Sequence, residues 1–269
     1  MGMIPKTYIN AVVAIGVKKD NGVFSWSATG FLVTRKVSED RVALFLITNR
    51  HVLNNKKSIV IRMKEKDTEQ LKDLEYQIVS TEGVPLYKLH KNKEVDIAVL
   101  PLKKDFITNN HLEFPAFDID ANAMTSAELR ANGAEEGTLV YMLGFPMGLV
   151  DPHSNVPICR LGCVARMCEA QIKDTHNILL DIQNFPGNSG SPIVTRPESV
   201  GIIGTRHLAR SVLVGIVHSY LPYREHLMNI QTREIVEAKT ENSGIANVHP
   251  VEYIREIIDE IQPIPRPNA

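Results

Sequence analysis

The chain has 269 residues, 43% of them apolar and 23% charged, with 30 Lys and Arg set against 31 Asp and Glu. That is the balance of a soluble globular protein long enough for one large all-β domain or two packed halves. A formal net charge of −1 gives no electrostatic case for nucleic acid or an anionic membrane surface, and no apolar run is long enough to span a bilayer.

Short apolar or alternating runs, separated by polar turns, recur along the sequence and predict strands. The first six cover residues 11–17, 29–33, 42–48, 58–63, 76–80 and 97–102. Residues 105–134 read as a linker with a short helix at 125–129. Six more strands follow at 138–144, 157–167, 177–182, 191–195, 211–217 and 244–248. Six strands at this spacing close into a small barrel, so the expected fold is all-β, with an N-terminal barrel over 8–104 and a C-terminal barrel over 135–250. Ile254, Ile257, Ile258 and Ile261 form a helical stripe that is expected to pack on the second barrel, and the Pro-rich run 263–267 cannot continue it.

The N-terminus lacks a basic region followed by an apolar one, so no secretory signal is visible, and Lys6 stands where a myristoylation motif needs Ser or Thr. Cys159, Cys163 and Cys168 are odd in number and bunched, unlike a disulfide scaffold, which points to a reducing, cytoplasmic location. A zinc site can be drawn from these cysteines with His153 or His176, but the spacing is not a standard ligand pattern. No metal or other cofactor is expected.

The stretch Gly187-Asn188-Ser189-Gly190-Ser191-Pro192 carries the most chemistry. Glycines bracket one serine, as they do in ordinary turns and in nucleophile loops. Gly187 lets the backbone turn so that its N–H and that of Ser189 point at one spot, and Gly190 leaves room for a substrate carbonyl. A serine nucleophile needs a base, and the base needs a carboxylate to orient it. His51 follows the apolar run 43–47, and Asp96 directly precedes the apolar run 97–100. The order His, Asp, Ser is that of the chymotrypsin triad.

These motifs, with Thr29-Gly30-Phe31, Thr48-Asn49-Arg50-His51-Val52, Asp96-Ile97-Ala98-Val99-Leu100 and Gly144-Phe145-Pro146, resemble the trypsin-like (chymotrypsin-fold) serine proteases. The branch they resemble is the bacterial HtrA/Deg branch, here as a protease domain without a PDZ module. The resemblance implies one protease domain of two six-stranded antiparallel barrels with a C-terminal helix. It also implies a triad of His51, Asp96 and Ser189, assembled between the halves, with the Gly187 and Ser189 N–H groups as the oxyanion hole. Its primary pocket would be lined by Gln183, Asn184 and Phe185, by Val217, His218, Ser219 and Tyr220, and by Gly244 and Ala246. No acid stands among the first three, which argues against a demand for Arg or Lys. His218, where the family has Ser or Thr, would line that pocket, contact Asp96 or face solvent.

Two departures from the digestive branch stand out. Asn188 replaces the aspartate that pairs with a newly cut N-terminal amine, so activation by trimming a pro-segment is not expected. Ser191 replaces a glycine and adds a hydroxyl close to the oxyanion site. Residues 220–243 are longer than the usual connection and read either as a solvated hairpin with a few buried anchors or as a movable lid. The implied function is a serine endopeptidase acting on protein or peptide substrates, restrained by a regulatory partner or second domain. A catalytically silent peptide-binding or scaffolding relative, and an esterase or acyltransferase on the same triad, are the alternatives.

Overall fold

Where the first half has apolar runs, strands form, and the longest runs sit at its centre. The computed structural model describes residues 2–198 and 206–262, so the Pro-rich tail lies outside the described residues. A single-turn α1 (Lys6–Asn10) leads into β1 (Val12–Lys18), which is buried over most of its length and pairs with β2 (Phe24–Ser38). β2 turns back into β3 (Arg41–Thr48), and after the short α2 (Arg50–Leu53) come β4 (Ser58–Lys64) and β5 (Leu71–Gln77), with β4 against β1. β6 (Lys88–Leu89) and β7 (Ala98–Pro101) complete the order β5-β4-β1-β2-β3-β7-β6.

This half is an open sheet, not the closed six-stranded barrel expected from the spacing. Closure would need a ladder from β5 to β6, and in its place the chain between them folds on itself through an isolated bridge from Val79 to Pro85, with the Leu86 N–H donating to Ile78 O and the Ser80 N–H to Val84 O. Pro85 has no N–H to add to a ladder, and Gly83 turns in the left-handed region with φ 82°.

The segment expected as a linker holds α3 (Lys104–Asn109), β8 (Phe117–Asp118), which pairs parallel to β2, and α4 (Ser126–Ala131) with a complete capping box from Thr125 and Glu128. The second half contains β9 (Leu139–Gly144), β10 (Ile158–Arg166), α5 (Glu169–Thr175), β11 (Ile178–Asp181), β12 (Pro192–Thr195), β13 (Leu213–Met228) and β14 (Ile235–Pro250). Six strands form at the expected places, with β13 and β14 running well beyond the expected 211–217 and 244–248, and they close as β10-β11-β14-β13-β12-β9.

α6 (Val251–Ile261) packs on the second barrel, as its stripe implies, and joins it to the first half as well. Val251, Ile254, Ile257 and Ile258 pack in one cluster with Phe31, Phe45 and Phe117 of the first sheet and with Val194, Leu213 and Ile216 of the barrel. Its polar flank holds the connection between the halves. The Glu252 carboxylate accepts from Ser126 Oγ at 2.5 Å, and Arg255 donates to the carbonyls of Ile119 and Ala123.

β13 and β14 are 16 residues each, and only one end of each belongs to the barrel. From Pro222↔Asn242 to Met228↔Ile235 they continue as a two-stranded ribbon, and residues 221–241 are exposed throughout. The hairpin of the sequence reading is there, without its buried anchors: Met228 and Ile235 are exposed and Ile230 is 94% exposed.

Candidate active site

β3 ends at Thr48, and Asn49 takes an extended conformation before the single turn of α2. Val52 and Leu53 are buried and anchor that turn, leaving the His51 side chain 46% exposed at the surface of the sheet. His51 Nδ1 lies 2.5 Å from Asp96 Oδ2, and the His51 N–H donates to Oδ1 at 3.0 Å. An ionised carboxylate can only accept, so the proton sits on Nδ1 and Nε2 is left free as a base.

Asp96, just ahead of β7, is held at every polar atom. Its carbonyl accepts from Asn49 Nδ2 at 2.8 Å and from the Arg50 N–H at 3.3 Å, its own N–H donates to His249 Nε2 at 3.0 Å, and Arg50 Nε stands 3.9 Å from Oδ1. Burial works to raise its pKa. The bonds from His51 and the charges of His51 and His218 outweigh burial and hold the carboxyl below the usual range.

Ser189 lies on the loop between β11 and β12. Gly187 and Gly190 have φ of 97° and 89°, conformations that side chains with a Cβ rarely adopt. The loop's carbonyls are pulled inward. Pro186 O accepts from the Met147 N–H at 2.5 Å, Gly187 O from Thr29 Oγ1 at 2.8 Å, and Ser189 O from the Thr29 N–H at 2.9 Å. The N–H groups of Asn188, Gly190 and Ser191 donate to Phe185 O, Val217 O and Asn188 O. Among the described residues, the N–H groups of Gly187 and Ser189 have no acceptor, which leaves two backbone donors flanking one hydroxyl.

Gly190 has a different role from the one expected. A Cβ there would fall on Thr29 O and Thr48 Oγ1, so the glycine makes room for the first half's backbone and not for a substrate. Thr29 itself was quoted only as part of a strand motif, yet it is fully buried and joins the halves. Besides its two bonds to the nucleophile loop, Oγ1 accepts from the Phe145 N–H at 3.0 Å and its carbonyl accepts from Thr48 Oγ1 at 2.8 Å. Ser189 is thereby tied to β2, the strand paired with the β3 that leads to His51. No hydrogen bond joins Ser189 Oγ to His51 among the described residues. Together, an imidazole backed by a carboxylate and a serine beside two free N–H groups are the parts of an acyl-transfer site.

The family model of the trypsin-like peptidase domain matches residues 28–202, which include His51, Asp96 and Ser189. The chain belongs to the trypsin-like peptidase family. No curated protein matches it at a significant level. Among solved structures it is similar to the protease domain of MamO from Magnetospirillum magneticum, apo form, with 17% identity over 93% of this chain and 96% of that one, at a TM-score of 0.49. It is also similar to the HtrA-type protease AlgW with a decapeptide, with 15% identity over 96% of this chain and 66% of that one, at a TM-score of 0.50. At such identities the likeness is one of fold.

Within this trypsin-like peptidase both departures are buried. Asn188 is 1% exposed and its Nδ2 has no partner among the described residues. Ser191 is fully buried and fits only because residue 144 is glycine, since a Cβ there would fall on Ser191 Oγ.

The residues expected around the primary pocket fall into two groups. Val217 and Ala246 are fully buried in the barrel core, so their side chains line no open pocket. Gln183 is exposed with Gly244 beside its amide, Asn184 donates to Ser219 O at 3.0 Å, Ser219 Oγ accepts from Asn247, Tyr220 is half-buried, and Phe185 lies under the Arg160 guanidinium. His218 is partly buried. Its ring stacks on His249 at 3.9 Å and 5°, and its Nε2–H donates to Asn177 Oδ1 at 2.7 Å.

Among the described residues no cluster of three His, Cys, Asp or Glu could hold a metal ion, and the three cysteines are unpaired. A cavity of about 440 Å³ lies elsewhere, between Lys6, Met63, Glu113 and Asn155, and none of His51, Asp96 or Ser189 lines it.

Proposed function

We propose that the protein is a serine endopeptidase. The observation that carries this reading is the pairing of His51 with Asp96, together with a loop in which the N–H groups of Gly187 and Ser189, without an acceptor among the described residues, stand on either side of the glycine-bracketed Ser189 hydroxyl. Ser189 Oγ attacks the scissile carbonyl while His51 Nε2 takes its proton, and Asp96 stabilises the imidazolium that forms. The carbonyl oxygen, now an anion, is received by the two N–H groups, each worth roughly 10²–10³ in rate. His51 then gives its proton to the leaving amine, and water releases the acyl group by the same route in reverse.

An extended peptide is the proposed substrate. An HtrA-type neighbour of the same fold holds a decapeptide, and the unpaired cysteines fit action in a reducing cytoplasm. One observation favours a silent, peptide-gripping relative: Ser189 Oγ does not bond to His51. Such contacts are often formed only when substrate binds, so the bond's absence leaves the catalytic reading in place.

A fluorophosphonate probe separates the readings. Labelling is expected at Ser189 in the wild type, with none in Ser189→Ala and with peptide cleavage in that variant reduced by about 10⁴–10⁶ at an unchanged melting temperature. No labelling of the folded wild type would establish the silent relative, and ester turnover without cleavage of any peptide would establish the esterase.

A further inference from the structure

We propose that His249, far from Asp96 in sequence, is a positioning residue for the His51–Asp96 pair: it fixes the backbone of Asp96 and so the aim of its carboxylate. The role rests on the serine-hydrolase reading above for its catalytic consequence, though not for its structural one.

Asp96 ends a stretch, residues 90–96, that no strand ladder holds. Histidines do the holding. His90 accepts from the Asn92 N–H at Nδ1 and meets Glu256 of α6 at Nε2. His176, at the left-handed end of α5 with φ 59°, meets Asn92 at 2.8 Å, Glu94 at 3.2 Å and Tyr253 Oη at 3.0 Å. His249 completes the set. It is 1% exposed, its Nδ1–H donates to His176 O at 2.8 Å, and its Nε2 accepts from the Asp96 N–H at 3.0 Å. Only a neutral imidazole with its proton on Nδ1 makes both bonds. The stacked His218 covers one face of the ring and Tyr253 meets it edge-on at 6.2 Å.

The surroundings keep that form in place. Burial pushes His249 down to about 4, with further lowering from the charges of His176 and His90, against the bond to His176 O and the Asp96 carboxylate, which raise it. Burial and His249 push His218 down to about 3. The other charged groups near the cluster are Glu94, on His176, and Glu256, on His90. Protonating His249 would set an N–H against the Asp96 N–H and break the anchor.

Ring ¹⁵N shifts of the wild type test this without any mutation. His249 is expected as the neutral Nδ1–H tautomer from pH 5 to 8, and an Nε2–H tautomer or an imidazolium at pH 6 would overturn the proposal.

His249→Phe keeps the ring's shape and its stacking on His218 but cannot accept. It is expected to speed exchange of the Asp96 amide hydrogen at least tenfold, to weaken the far-downfield proton signal between His51 and Asp96, and to slow fluorophosphonate labelling by about 10- to 100-fold, the usual scale of a small misplacement. His249→Gln offers one donor and one acceptor and is expected to restore exchange and labelling to within a few fold. Unchanged Asp96 exchange and labelling in His249→Phe would overturn the proposal, as would a folded His249→Gln no better than His249→Phe. If the wild type does not label at all, the serine-hydrolase reading fails while the Asp96 exchange comparison still decides this one. If His249→Phe does not fold, the wild-type tautomer and His249→Gln decide it.

Discussion

The two arms of the site are held by different forces. The His51–Asp96 arm is fixed by polar contacts: side chains and backbone groups of residues 49–51 and of His249 converge on Asp96, at its carboxylate, its carbonyl and its N–H. The Ser189 arm is fixed by shape. Two left-handed glycines, a glycine under Ser191 and a buried threonine leave the loop only one way to lie. The first arm should therefore respond to pH and tolerate changes of volume, whereas the second should do the reverse.

Gly190→Ala tests the steric arm hardest. A methyl there meets both a positive φ and the Thr29 backbone, so a loss of more than about 4 kcal/mol is expected in urea unfolding, with labelling of Ser189 abolished. A variant of near wild-type stability would show that the loop has slack and would erase the contrast.

Acid tests the polar arm. His249 has an ordinary pKa of 6.5 and is pushed to about 4 in the fold, so between those values the unfolded chain takes up a proton that the native chain refuses. Stability then falls as pH drops from about 6.5 to about 4, by roughly 3 kcal/mol from this group alone, and no further below that. The depressed Asp96 carboxyl acts in the same sense at lower pH, since it stabilises the fold above its unfolded value and loses that contribution as pH falls through its folded one. Urea midpoints across pH 4–7 should show the slope, and His249→Phe should reduce it, the remainder coming from His218, which burial pushes down to about 3.

Thr29→Val is the smaller probe of the steric arm. It keeps the side chain's volume and strands Gly187 O and the Phe145 N–H, for an expected loss of about 2–3 kcal/mol with no change in pH slope. The smallest effect is expected in the ribbon. Replacing residues 221–243 by a tight turn removes no buried side chain but Asn242, so stability should stay within about 1 kcal/mol. A rise in basal peptide cleavage in that variant would make the ribbon a lid.

What the sequence made legible tracks the distance over which each feature is decided. Strands were legible because burial alternates within a few residues, as in β4 and β9. His51, Asp96 and Ser189 stood out because each lies in its own short motif. Closure of the first sheet was not legible, because it depends on whether two edges meet, and the stretch between those edges bridges to itself at Val79 and Pro85. Thr29 and His249 were missed for a related reason. Their partners lie 158 and 153 residues away, at Gly187 and Asp96, and nothing local distinguishes either from a strand residue. Three histidines gathering around Tyr253, with His218 stacked on one of them, could have been suspected only by asking why a strand-rich core keeps polar rings.

The ribbon and the nucleophile loop share a beam. Gly190 donates to Val217 O and Ser191 O accepts from the Val217 N–H, and β13 runs from there without a break to Met228, a reach of ~36 Å at about 3.3 Å per residue. A rigid beam would carry any sideways load from tip to root. This one has two bends, at the register shifts Val217/Ser219 and Tyr220/Pro222, between the root and the projecting part. The geometric result is a ribbon whose direction is set after the root: Val217 stays bonded to Gly190 and Ser191, and the bends beyond it aim the projecting part.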